Sequence, residues 1–102
     1  MASASTPQKD VFELRPIIGL TRGLPMPELE SLTVDAIHAH RALVSKAEDL
    51  FEALPDDYKT GRAAGGDQHR TYITAAIEMH AQMVVVNTLI DVLGYIPRSV
   101  TN

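Results

Sequence analysis

The 102-residue sequence has no cysteine and no tryptophan, and phenylalanine and tyrosine together supply only 5% of it. Without cysteine there are no disulfides, no thiolate chemistry and no zinc sites built on sulfur. With few aromatics, any core must be assembled from Leu, Ile, Val, Met and Ala. Long apolar runs are also missing. The longest, Met83 to Val86, is far short of the roughly 20 apolar residues needed to span a bilayer, so no transmembrane helix is expected. The start of the chain, Met1 to Pro7, is rich in Ser, Ala and Thr and resembles neither a secretory signal nor an anchor. The cytoplasm is therefore the expected location. Basic residues are outnumbered 9 to 13, giving a net charge of −4. Such a chain is repelled by phosphate backbones and better matched to a basic protein surface. What is present is an ordinary 45% of hydrophobic residues, enough for one folded domain. A domain this small gains from oligomerisation.

Residues 1–10 read as a mobile tail, with a single helical domain over 11–102. Residues 11–25 carry Val11, Phe12, Leu14, Ile17, Ile18, Leu20 and Leu24, interrupted by Pro16, Gly19, Gly23 and Pro25. Those breaks predict an irregular arm, with room for one helical turn, packed on the main body. A first long helix is predicted over 27–54. Pro27 suits its first turn and Glu28 the positive end of its dipole. Ala36/Ile37, Leu43/Val44 and Leu50/Phe51 recur every seven residues, a helical stripe and not a strand alternation. Pro55 stops the helix. Residues 55–66 form a glycine-bearing connection. A second long helix is predicted over 67–93, capped by Asp67 and closed by Gly94 ahead of Pro97. Its apolar seam, Tyr72, Ala76, Met79, Met83, Val86, Ile90 and Leu93, steps by four and three without a miss, as a heptad seam does.

The fold class expected is all-α: two long antiparallel helices with an irregular N-terminal arm. The second helix is apolar well beyond its seam, since Val84, Val85, Leu89 and Val92 lie off it. One hairpin partner cannot cover such a helix. The expectation is a homodimer, two hairpins forming a four-helix bundle about a two-fold axis, with the seam residues as the dimer core.

Chemistry finds little support. His38 and His40 are two apart and point to different sides of a helix. His69 and His80 share a face but lie about 16 Å apart along the axis. Neither spacing suits a metal, and no nucleophile elbow, phosphate loop or zinc-protease pattern occurs. No catalytic residue, metal or cofactor is expected, and the chain does not read as an enzyme. Glu48, Asp49, Glu52, Asp56 and Asp57 form an acidic cluster at the end of the first long helix. Its ordinary role is a solvated face; its functional one is docking of a basic partner. Glu48, Glu52, Asp56 and Tyr58 are the first-choice partner surface. The other end of the hairpin, with Tyr95 and Ile96 beside the arm, is the second choice. A structural or antidote-type helical dimer binding another protein is the alternative class.

Several stretches carry a family pattern: Glu13–Leu14–Arg15–Pro16, then Ile18–Gly19–Leu20–Thr21–Arg22–Gly23–Leu24–Pro25; Ala53–Leu54–Pro55 followed by Tyr58–Lys59–Thr60–Gly61; Ile77–Glu78–Met79–His80–Ala81–Gln82–Met83; and Asn87–Thr88–Leu89–Ile90 with Leu93–Gly94–Tyr95–Ile96–Pro97. Over residues 13–97 the sequence resembles the TraM-type quorum-sensing antiactivators. The resemblance implies a small helical dimer that binds TraR, a LuxR-type transcription activator responding to an acyl-homoserine lactone. It implies that DNA binding by the activator is lost and that conjugal plasmid transfer genes stay repressed.

Overall fold

The computed structural model describes residues 15–98. The tail at residues 1–10 and the first part of the arm lie outside the described residues. Four helices follow in order: α1 (Arg15–Thr21), α2 (Met26–Glu52), α3 (Asp56–Lys59) and α4 (Asp67–Leu93), with no strand among the described residues. The protein is all-α.

The arm is more regular than its prolines and glycines suggest. Pro16 occupies the second position of α1, where its missing donor costs nothing, and Gly19 lies inside the helix. The helix stops at Gly23, whose φ of 92° only glycine adopts cheaply. The Arg22 amide there donates to the Ile18 carbonyl at 2.9 Å. α1 packs on α4, with Thr21 buried and Ile17 and Leu24 against the core.

α2 and α4 form an antiparallel hairpin. Gln82 of α4 donates to the Ala36 carbonyl of α2 at 3.1 Å, and Gln68 donates to the Ala53 carbonyl at 2.8 Å. Beyond α4, the Tyr95 hydroxyl donates to Glu30 at 3.2 Å. Partner numbers rise on one strand of the hairpin as they fall on the other. α2 starts with Met26 and Pro27 and unwinds after Glu52. Ala53 still donates to Asp49, and the buried Leu54 leads into Pro55.

The connection is folded. α3 makes one turn, and the amides of Arg62 and Ala63 both donate to the Asp57 carbonyl. The N-cap of α4 is Gly66 and not Asp67. Asp67 instead sits in the first turn, 2.9 Å from Arg70. His69 reaches back past the helix start, where its Nδ1 accepts the Gly65 amide at 2.8 Å. An N3 side chain reaching back over the helix start is capping-box geometry shifted by one residue. At the far end Gly94 takes a left-handed φ of 96° and donates to the Ile90 carbonyl.

The core consists of Leu29, Ala36, Val86, Leu89 and Leu93, supported by Ile17, Leu24, Ile37, Val85, Ile90 and Val92. Ala47, Leu54 and Ala75 extend the burial along the hairpin. Thr21, Thr33 and Thr88 are buried too. Each hydroxyl donates to the carbonyl four residues earlier at 2.8 Å, so none is left unsatisfied.

This core divides the heptad seam of α4. Val86 and Leu93 lie inside a single chain, and Ile90 is half-buried beside them. Tyr72, Ala76 and Met79 are half-buried on a flank, and Met83 is exposed. The reason is geometric. A straight helix drifts about 20° per heptad from a strict seven-residue repeat. Over the three heptads from Tyr72 to Leu93 the two ends of the seam come to face different neighbours.

Candidate functional site

Among the described residues, two grooves with largely apolar linings flank the hairpin. The first, of about 360 Å³, lies between α2 and α4 near the connection, with Val44, Ala47, Phe51, Tyr72, Ala76 and Met79 as its apolar lining. Phe51 and Tyr72 pack across it with ring centroids 5.5 Å apart. Glu48, Glu52 and His80 stand at its edges. The second groove, of about 480 Å³, runs between α1 and the hairpin, with lining residues that include Leu20, Leu24, Leu32, Val85 and Leu89. Asp35 and Gln82 are among its polar groups.

Beyond the grooves, α4 keeps apolar side chains in water. Ile77 is 63% exposed, and Ile73, one turn earlier, is exposed as well. At 3.6 residues per turn both lie on the side of α4 turned away from α2. Together with Met83 and with Tyr72, Ala76 and Met79 of the first groove they make an apolar arc on α4 between Tyr72 and Met83.

The acidic cluster is exposed, and some of its charge is answered locally. Lys59 lies 3.4 Å from Glu52, and Arg62 lies 3.3 Å from Asp57. Such exposed pairs contribute little to stability. Glu48 and Asp56 are exposed, while Tyr58 is half-buried with its ring edge-on to His69 at 5.3 Å. Tyr95 and Ile96 are exposed at the opposite end of the hairpin. Glu30, which holds Tyr95, is 18 residues from Glu48 on the same helix, about 27 Å along its axis. The acidic end and the Tyr95 end are therefore two separate surfaces. Desolvation, followed by the hydrogen bond and the charge of Glu30, pushes the Tyr95 hydroxyl above its usual range. Among the described residues no group of three or more His, Asp or Glu side chains is placed to hold a metal.

By length and composition α4 is apolar enough to cross a membrane, which the short apolar runs of the sequence did not suggest. The core helix of a soluble protein passes the same test, and α4 packs along α2 and α1. The groove beside α1 and the role of Gln82 in the hairpin escaped the sequence reading. A lone glutamine among apolar residues carries no pattern that marks it as an inter-helix donor.

The family model for the prokaryotic transcriptional repressor TraM matches residues 1–98. The chain belongs to the TraM family. It is 63% identical over 90 residues to the transcriptional repressor TraM of Rhizobium radiobacter, covering 88% of each chain. It is 62% identical over 90 residues to the protein of the same name from Agrobacterium fabrum, again with 88% of each covered. Its fold is similar to the crystal structure of a second quorum sensing antiactivator, TraM2, from A. tumefaciens. The TM-score there is 0.82 at 62% identity, over 84% of this chain and 97% of that one. TraM relatives are thus named for repression and antiactivation, roles of a regulator.

Proposed function

We propose that this TraM family member is an antiactivator. It binds a LuxR-type quorum-sensing activator of the TraR kind and blocks its DNA binding, so that conjugal plasmid transfer genes stay repressed. It works as a homodimer. The observation that carries the reading is the apolar arc of α4: a long helix, already packed on two neighbours, still leaves Ile73, Ile77 and Met83 exposed. Apolar surface of this extent on a small domain marks a contact between proteins. Similarity to repressors and to a quorum-sensing antiactivator supports the same class of activity.

A second copy is the natural cover for the arc. Tyr72, Ala76, Met79 and Met83, with Ile73 and Ile77 beside them, meet their counterparts about a two-fold axis, while Val86 and Leu93 serve the core of each protomer. The acidic end, with Glu48, Glu52 and Asp56, attracts the basic DNA-binding domain of the activator and speeds encounter.

A gel-shift assay with purified activator, its signal ligand and promoter DNA tests the function. Adding the chain should abolish the shifted band. A band that persists with the chain in excess would refute antiactivation. Sedimentation tests the dimer: the native chain should run at twice its monomer mass and Ile77→Asp at the monomer mass. A folded monomer at micromolar concentration would remove the two-fold bundle.

A further inference from the structure

We propose that the groove between α1 and the hairpin seats an amphipathic helix of the activator, with a basic side chain of that helix meeting Asp35. The proposal rests on the antiactivator reading and adds where the partner sits and what it presents.

The groove is apolar and open. Leu20, on its α1 wall, is 79% exposed, and Leu32 on the α2 wall is exposed as well. From Gln82 to Leu89 its α4 wall spans seven residues, about 10 Å or two helical turns. That length accepts anchors spaced by three, four or seven residues, the pattern by which an amphipathic helix fills a groove. The volume, about 480 Å³, has room for side chains and not for a whole helix. The bound helix therefore lies across the rims, where it also covers Leu20 and Leu32. A small molecule would leave both rims in water, whereas good ligand sites enclose most of their ligand.

Charge sets the polarity of the partner. Asp35 is the charged residue of the groove; it is exposed and has no ion pair or side-chain hydrogen bond among the described residues. In this it differs from Glu52 and Asp57, which are held by the chain's own cations. A Lys or Arg flanked by apolar anchors on the incoming helix completes it. A second copy is the poorer occupant. A second copy seated with the two-fold axis through this groove would set one concave surface against another and bring two Asp35 carboxylates together.

The test compares Leu20→Asp, Asp35→Lys and the unaltered full-length chain for binding to a purified TraR-like activator carrying its signal ligand, by calorimetry at two salt concentrations. Both positions are exposed, and unchanged helical circular dichroism confirms folding. Leu20→Asp should weaken the complex at least tenfold. Asp35→Lys should weaken it and reduce its salt dependence, with both variants remaining dimeric. A complex that survives both substitutions overturns the groove and leaves antiactivation standing. Dissociation of free Leu20→Asp into monomers assigns the groove to a second copy and overturns the proposal. If the unaltered chain forms no complex with the activator, the antiactivator reading falls, and this proposal with it.

Discussion

Gln82 and Ala36, 46 positions apart in the chain, are joined by a 3.1 Å hydrogen bond from the side-chain amide of α4 to a backbone carbonyl of α2. A carbonyl within a helix keeps a second lone pair, so this bond ties the two long helices together without breaking either. It also fixes the rotation of α4, because Ala75, Gln82 and Leu89 are spaced by sevens along the contact. Gln82→Ala should lower stability by about 1–2 kcal/mol, the net value of one bond with some lost packing. Urea unfolding followed by circular dichroism measures it.

Leu89 and Ile77 separate the two apolar faces of α4. Leu89 is 3% exposed within one chain, and Leu89→Ala should cost about 2–5 kcal/mol through transfer and cavity terms. Ile77→Ser should act on association instead. Its unfolding midpoint should no longer rise with protein concentration, as the midpoint of a folded dimer does. Denaturation at two protein concentrations distinguishes the two outcomes.

The Tyr95–Glu30 bond predicts a loss of stability in alkali. The folded chain holds the Tyr95 proton more tightly than the unfolded chain does, and an unperturbed phenol titrates near 10. The contribution is thus complete below about pH 10 and declines as pH rises above that value. Tyr95→Phe should lack this decline, so the stability difference between the two proteins should shrink as pH rises above about 10.

Gly94 ends α4 in a left-handed conformation at φ 96°. An L-residue with a Cβ is strained there by roughly 1–2 kcal/mol. No heavy atom lies within 4 Å of a Cβ added at this position, so the cost of Gly94→Ala is conformational and not a clash. The fall in unfolding free energy should match that strain.

Reversing Glu48 and Glu52 to Lys should slow association with the activator and flatten the dependence of the rate on salt, while the dissociation rate changes little. That division is typical of charges at the rim of an interface. Stopped-flow kinetics at low and moderate ionic strength reads both rates.

Much of this architecture was legible in the one-dimensional pattern. Recurring apolar pairs from Leu29 to Phe51, the punctuation at Pro55 and Gly94, and the absence of cysteine led to an all-α hairpin without thiol chemistry. Helix spacing and helix ends are written locally, in 3.6-residue periods and in Pro and Gly, while the family resemblance over residues 13–97 was carried by particular residue runs such as Ile18 to Pro25 and Leu93 to Pro97. The faces of the helices were not legible. A seam of sevens drifts on a straight helix, so only packing against α2 and α1 decided that Val86 and Leu93 go inside while Met83 and Ile77 stay out. Only the tertiary structure turned Gln82 into a cross-link, wound the arm into α1 beside a groove, and set Tyr95 against Glu30. Each depends on groups far apart in sequence that come together when the hairpin closes.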